Sequence, residues 1–469
     1  MYMRFINREK EITTLKETIM LSEQKLFTVA IWGLRRVGKT RMILEFMKDT
    51  DMYFFVNKDK TSMSLLDEYV VYLRNAKIIN ELEKLDNWDD FFKVLFQRYE
   101  GIIAFDEFQN FLSVDMSVFG TLQKYIDLNE SKKGLLLFFT GSTTGLIKKL
   151  FLDSKQPLYG RIKRRMHLKP MSFGNIVDMC KELDITKLSD IINLYAVAGG
   201  YPRYYVAIED ENLKGASFEN IIERFFFAEN AIFEDEVMSI LSMEFGKRSG
   251  VYYDILTAVA SGCTRISEIA SFLSKKETDL TRQIHELVHH FNILNYEKQV
   301  IGNKKLLYID HPLIDFWFRF FYKNISDYKR RNPKFVENTK KSINNHVGKR
   351  FEIVCREFLI ENNKIPFEFH EMGRQWGKIK NAPKGQNTYE IDIVALNSDS
   401  KEVLFIECKW KSLSLKQAEI ILLDLKEKST FVDWNDDSRK EHFGIIAKNI
   451  TDKDALRAKG YFVFDLDDF

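Results

Sequence analysis

The sequence predicts an α/β chain built from more than one domain, and three observations carry that expectation. Apolar runs of strand length alternate with helix-length segments through the first part of the chain, the pattern of a mostly parallel sheet with helices on both faces. Beyond Phe245 the rhythm changes to three short helical patterns and two short strands around Gly302-Asn303. The last part returns to strands, now ending in charged residues. At 469 residues the chain is too long for a single core, and 45% hydrophobic with 29% charged residues is ordinary globular composition.

Residues 26–40 organise the rest. Leu26-Phe27-Thr28-Val29-Ala30-Ile31-Trp32 reads as a buried strand, Gly33-Leu34-Arg35-Arg36-Val37-Gly38-Lys39-Thr40 as a turn, and Arg41-Met42-Ile43-Leu44 as the start of a helix. This is G-x-x-x-x-G-K-T between strand and helix, the setting of a P-loop. Its glycines let backbone N–H groups converge on phosphate oxygens, and the helix directs its positive end to the same place. The expected ATP contacts run from Gly33 through Leu34, Arg35, Arg36, Val37, Gly38, Lys39 and Thr40 to Arg41, with Lys39 on the β- and γ-phosphates and Thr40 holding Mg²⁺. A glycine turn that binds nothing is the alternative.

An amphipathic helix is expected before this strand, from Ile12, Leu15, Ile19 and Leu21, and further strands at 52–57, 101–106, 135–141 and 165–169. The run 101–108 ends in Asp106-Glu107, and an acid at the end of a buried strand is costly unless it serves something there. Asp106 is assigned to the metal and Glu107 to the general base; capping of a helix from Phe108 is the other reading. Thr140 and Ser142 end another buried strand, placed either to report on a γ-phosphate or, at Ser142, to cap a helix.

Arg8-Glu9, the P-loop, Asp106-Glu107, Thr140-Gly141-Ser142, 157–161 and Gly199-Gly200-Tyr201-Pro202 occur in the order seen in the archaeal-type ATPases. Over roughly residues 5–320 the chain resembles that family, part of the STAND group of P-loop ATPases near the AAA-like enzymes. The resemblance implies ATP hydrolysis and a helical lid whose Pro202 approaches the nucleotide. It also implies a phosphate contact for Arg161, although Arg161 with Lys163, Arg164 and Arg165 reads equally as a solvated basic edge.

The middle segment predicts helices at 251–259, 266–273 and 278–291 and strands at 293–300 and 305–309, a winged helix-turn-helix. Arg265, Lys275, Lys276, Arg282, Lys304 and Lys305 are candidates for phosphate contacts on DNA; packing against the ATPase as a nucleotide-sensing lever is the even alternative. His285-Glu286-Leu287-Val288-His289 matches the zinc protease signature H-E-x-x-H, but the helix is already explained by its core face, and no third ligand stands at a familiar spacing. The aromatic run 311–321 reads as buried packing.

Residues 323–350 hold nine Lys or Arg and two acids, with Pro333 as a break, so 323–344 is expected to be a basic linker or a DNA-tracking arm. A helix at 348–359 carries Glu352, and strands at 389–396 and 402–410 carry Asp392 and Glu407-Cys408-Lys409. Strand alternation puts Glu407 and Lys409 on one face. With Asp392 beside them on the neighbouring strand, a divalent cation can bridge Asp392, Glu407 and the Cys408 carbonyl, Glu352 completes its shell from the helix, and Lys409 orients the attacking water or steadies the phosphorane charge. Gln417 is an assisting candidate. This order resembles the PD-(D/E)XK nuclease fold over about residues 345–469, which implies metal binding by Glu352, Asp392 and Glu407 and catalysis by Asp392, Glu407 and Lys409.

The expected fold is thus a P-loop NTPase domain (1–245), a winged helix (246–322), a basic linker (323–344) and a restriction-endonuclease-like α/β domain (345–469). The expected function is an ATP- and Mg²⁺-dependent ATPase that gates a nuclease acting on DNA more than RNA. The alternative is a regulatory ATPase that binds DNA or protein without cutting. A protein partner or a homo-oligomer stays open. A net charge of +2 decides nothing about partners, and Cys180, Cys263, Cys355 and Cys408 lie too far apart for a disulfide framework or zinc knuckle. No apolar run approaches the roughly 20 residues that cross a bilayer, and the start is charged too early for a signal peptide, so cytoplasm is expected and no membrane contact.

Overall fold

The computed structural model describes residues 4–246, 250–380, 382–383, 385–435 and 438–469. Contacts divide the chain into two units: Met1–Pro170 with Tyr201–Val206 and His289–Asn292, and Met171–Gly200 with Ala207–Val288 and Ile293–Phe469.

The first unit is built on five parallel strands, β1 (Phe27–Trp32), β2 (Met52–Phe55), β3 (Gly101–Asp106), β4 (Leu135–Gly141) and β5 (Arg164–His167), in the order β2-β3-β4-β1-β5. Every residue of β1 and β4 is buried, as unbroken apolar runs in a sheet covered on both faces must be. Because β4 lies between β1 and β3, the carboxyl ends of three neighbouring strands deliver the P-loop, Thr140 and the acid pair to one edge. Phe108, directly after the acids, is fully buried with its ring 4.7 Å from Phe139 and stacked at 5.8 Å on Phe151, which pins the turn that presents Glu107.

The second unit begins with helices and continues through Gly250–Ala260, Ile266–Phe272 and Glu277–His285, then a hairpin of β6 (Leu294–Lys298) and β7 (Lys305–Ile309). The aromatic run that follows is buried, with Phe316 5.1 Å from Phe226 and Phe318 stacked on Tyr253 at 6.1 Å. The basic stretch departs from expectation. Pro333 does not break a linker; it opens one helix, Pro333–Glu361, that carries both Lys340-Lys341 and Glu352. Proline is tolerated at the first helical position because the N–H it lacks has no intrahelical partner there.

The C-terminal sheet is mixed. Its strands β8 (Glu371–Lys378), β9 (Thr388–Asn397), β10 (Glu402–Leu413), β11 (Lys440–Ile450) and β12 (Phe462–Phe464) run in the order β12-β11-β10-β9-β8. β8, β9 and β10 are antiparallel neighbours, and β10, β11 and β12 are parallel. Helix Pro333–Glu361 lies against it, with Phe351 4.9 Å from Trp410. Among the described residues no helix is long and apolar enough to cross a membrane, and all four cysteines are free thiols.

Candidate functional site

The P-loop follows β1 as the sequence requires. A Cβ at Gly33 would fall 2.2 Å from the Leu168 carbonyl oxygen, so only glycine fits, and Gly38 turns into helix Lys39–Leu44 at φ 95°. Lys39 is buried and its Nζ donates to the carbonyls of Gly33 at 2.9 Å and Leu34 at 3.0 Å. The Val37 carbonyl accepts from Arg8 at 3.1 Å, which ties the segment ahead of the first helix to the loop. Arg36 takes a left-handed φ of 68°, and Arg41 pairs with Glu45 along the helix at 3.3 Å.

Asp106 is the hub. Its Oδ2 accepts from Thr40 Oγ1 at 2.8 Å and from Tyr53 Oη at 2.5 Å, and its Oδ1 accepts from the Thr140 hydroxyl and from the Glu107 N–H at 2.9 Å. Four neutral donors satisfy a carboxylate that is only 5% exposed. Burial first, then the Asp106 charge, pushes the Tyr53 hydroxyl well above its usual range, so the proton stays on Tyr53. Thr40 and Asp106 present hard oxygen atoms side by side, the donor chemistry that suits Mg²⁺.

Glu107 stands beside this hub in a left-handed conformation, φ 53°, and its side chain does not cap the short helix Phe108–Asn110. Its Oε2 accepts from Ser142 Oγ at 2.9 Å and from the Gln109 amide, while Oε1 lies 3.6 Å from Arg35 of the P-loop. Ser142 therefore serves Glu107 and not a helix end. Thr140, expected near a γ-phosphate, is fully buried against Asp106. Pro202 opens helix Pro202–Asp210. Arg161 is held in a two-pronged pair with Asp127, both contacts 3.1 Å, and also donates to the Tyr159 carbonyl.

In the C-terminal sheet, β9 and β10 pair up to Ile393 and Ile406, and the next step of that register would set Asp392 directly opposite Glu407. Like charges directly opposed destabilise a ladder, and the pairing stops there. Asp392 Oδ2 instead accepts from the Cys408 N–H at 2.8 Å and from Lys409 Nζ at 3.3 Å. Glu407, 2% exposed, is gripped by Lys409 through Oε2 and by Lys428 through Oε1 at 2.8 Å. Burial, then the Asp392 charge, raises both the Glu407 and the Glu352 carboxyls. Lys409 is desolvated too, yet Asp392 and Glu407 more than offset this and hold its ammonium charged. That ammonium is a stand-in cation between the two carboxylates.

Asp392, Glu407 and Lys409 are thus brought together, with Glu352 within reach of the Asp392 field. Among the described residues, however, no group of three His, Cys, Asp or Glu side chains is placed to hold a metal ion. Gln417 does not join them. It is exposed, and its side chain accepts from the Ser414 N–H at 2.9 Å as a cap of helix Leu415–Ser429. Glu286 of the H-E-x-x-H stretch is taken by the Tyr252 hydroxyl and by Arg282 at 3.0 Å.

The sequence reading missed Tyr53 and Lys428. Tyr53 follows from β2 lying beside β3, where Tyr53 pairs with Ala104 and Phe55 with Asp106. Lys428 sits 21 residues beyond Glu407, and only its place on the last turn of a helix following β10 hinted at it.

Residues 5–208 match the family described as an ATPase domain predominantly from Archaea, and residues 317–421 match one described as archaeal and bacterial proteins of unknown function. The uncharacterized protein MJECL04 of Methanocaldococcus jannaschii is 27% identical over 475 positions, covering 99% of this chain and all of that one. Among solved structures, the Walker-type ATPase PABY2304 of Pyrococcus abyssi is 22% identical and superposes with a TM-score of 0.54, over 67% of this chain and 96% of that one. The ORC2 protein of Aeropyrum pernix, in ADPNP–ADP complexes, is 14% identical with a TM-score of 0.47, over 70% of this chain and 96% of that one. The P. abyssi likeness bears on fold alone. With the P-loop geometry, the two family matches give the chain an archaeal-type ATPase domain over residues 5–208 and, over residues 317–421, a segment like a family of unknown function.

Proposed function

We propose that the chain hydrolyses ATP at Lys39, Thr40, Asp106 and Glu107, and that its nucleotide state gates a metal-dependent, nuclease-like C-terminal domain acting on DNA. The observation that carries the first part is the Asp106 carboxylate shared between the Thr40 hydroxyl and the Glu107 backbone, beside Lys39. Lys39 leaves the loop carbonyls for the β- and γ-phosphates, together with the backbone from Gly33 to Arg41. Thr40 and Asp106 hold Mg²⁺, which supplies positive charge to the phosphates when bound. Thr140 keeps Asp106 oriented. Glu107, once free of Ser142, accepts a proton from the attacking water. Pro202 from the lid, and Arg161 ahead of β5, complete the nucleotide contacts.

The corresponding division is an ATPase domain over 1–245, a winged helix over 246–322 and a nuclease-like domain over 345–469, in a cytoplasmic setting. In the last of these, Asp392 and Glu407 with Glu352 would become the ligands of a cation once Lys409 swings away from the two carboxylates, and Lys409 would then orient water. Support comes from the ammonium already seated between Asp392 and Glu407.

A second reading, a regulatory ATPase that binds DNA or protein without cutting, is favoured by one observation. Glu407 is already neutralised by Lys409 and Lys428. The test is cleavage of single- and double-stranded DNA with Mg²⁺ or Mn²⁺, with and without ATP, by the parent chain, Asp392→Ala and Lys409→Ala. Metal-dependent cutting lost in both variants supports the nuclease, and an ATP effect links the sites. No cutting with ATP turnover intact leaves the regulatory reading.

A further inference from the structure

The hairpin does not end at its own turn. After β6, Val300 N–H donates to the Arg374 carbonyl of β8 at 3.2 Å, and the Ile301 N–H donates to Gln375 Oε1 at 2.9 Å. Gln375 Nε2 returns a bond to the Ile301 carbonyl at 3.2 Å, and Gln375 is 2% exposed. β8 is the last strand of its sheet, so the hairpin covers an edge that would otherwise stand open.

This docking puts Glu297 of β6 between two arginines. Its Oε1 lies 3.4 Å from Arg356, four residues beyond Glu352 on the same helix, and its Oε2 lies 3.4 Å from Arg374. Arg374 also pairs with Glu390. The β8–β9 register shifts between Gly373 and Gln375, where Arg374 faces the two residues Asp392 and Ile393. A bulge of this kind re-aims side chains, and here it falls on a residue of the acidic site. The fields of Arg374 and Arg356 both reach Glu352. Both Glu297 contacts are about 0.5 Å longer than the usual charge-assisted bond. The Arg374 Nε–H is buried and finds no acceptor among the described residues.

Two guanidinium groups converging on one anion at long range, with a donor to spare, match a phosphate better than the carboxylate they hold. We propose that Arg356 and Arg374 form a phosphodiester-binding site beside Asp392 and Glu352, and that Glu297 of the hairpin occupies it as a built-in anion that keeps nucleic acid out. This rests on the reading that the C-terminal domain acts on nucleic acid. It gives the hairpin a role as a mask on the acidic site, held by Gln375 and released when the hairpin lifts.

The test is binding of a short labelled DNA duplex and its single strand, by fluorescence anisotropy in EDTA without nucleotide. It uses the full chain as parent, Glu297→Gln and Gln375→Ala, with folding checked by circular dichroism. Glu297→Gln is expected to tighten binding about tenfold, with a steeper salt dependence, and Gln375→Ala to do so more weakly. Adding Arg356→Ala or Arg374→Ala to Glu297→Gln abolishes the gain. Unchanged affinity in both single variants, or a gain that survives loss of either arginine, overturns the mask. If affinity is unchanged while the parent cuts DNA with Mn²⁺ and Asp392→Ala does not, the mask fails and the nuclease reading stands. Tighter binding without cutting leaves the phosphate site and removes the nuclease.

Discussion

Asp106, the last residue of β3, and Glu407, midway along β10, are almost equally buried at 5% and 2% exposure, and they are satisfied in opposite ways. Asp106 is held by three hydroxyls and a backbone N–H, all neutral. Glu407 is held by two ammonium groups. Neutral donors orient a carboxylate and leave its charge for an incoming cation, whereas ammonium groups spend that charge inside the protein. On the function proposed above, Asp106 thus keeps its charge for Mg²⁺ beside the nucleotide, whereas a cation at Glu407 would first have to displace a lysine.

The comparison can be broken most forcefully at Glu407. Glu407→Ala leaves Lys409 with Asp392 and Lys428 with Asp424, and should cost about 3 kcal/mol in urea unfolding of the second unit. A loss below about 1 kcal/mol would mean the ammonium groups do not hold Glu407, and the contrast with Asp106 would collapse. Next in size is Lys39→Ala. Its lysine donates to the Gly33 and Leu34 carbonyls of the loop itself, and affinity for a fluorescent ATP analogue should fall on the order of 100-fold, about 2.7 kcal/mol.

Acid sharpens the contrast between the units. His346, fully buried in the second unit, is lowered to about 4 by burial, against the pull of Asp315. A histidine whose folded value lies below its unfolded value of about 6.5 costs stability as pH falls through that window, because only the unfolded chain takes up the proton. The loss from His346 should reach about 2 kcal/mol at pH 5, and His346→Asn should remove it while the like contribution of the buried His311 keeps some fall in the melting temperature between pH 7 and 5. The smallest effect belongs to Arg161→Ala. An exposed pair with Asp127 is worth less than about 1 kcal/mol, so the melting temperature should hardly move. Loss of ATP turnover beyond about tenfold in this variant would assign Arg161 to the phosphates.

The parts legible in the sequence are those whose chemistry leaves a local mark. The P-loop needs glycine at 33 and 38 within one turn, and an acid pair ending an apolar strand stands out at 106 and 107, so β1 and β3 are legible with what they carry, and the bounds of β3 and β4 are legible to the residue. Asp392, Glu407 and Lys409 stand out differently, as charges that interrupt apolar strands, and the structure brings the three side chains together. Tyr53 was not legible, because its role comes from which strand lies beside β3, and a tyrosine in a strand carries no mark of its own. Arg35 sat inside the motif as a variable residue, and nothing in the sequence reveals that it faces Glu107. Pro333 was misjudged because proline breaks a helix interior but begins a helix without cost. The docking of Val300 and Ile301 on β8 joins residues more than 70 apart, and no window of sequence records it.

The most direct test of the N-terminal site as a hydrolytic centre is a single comparison of Glu107→Gln with the parent, measuring Mg²⁺-dependent ATP turnover beside affinity for a fluorescent ATP analogue. The glutamine keeps the bond from Ser142 and loses the ability to take a proton. Turnover is expected to fall about 100-fold or more with nucleotide affinity nearly unchanged. Turnover equal to the parent's would contradict the account, because the residue held at the end of β3 would then have no part in the chemistry.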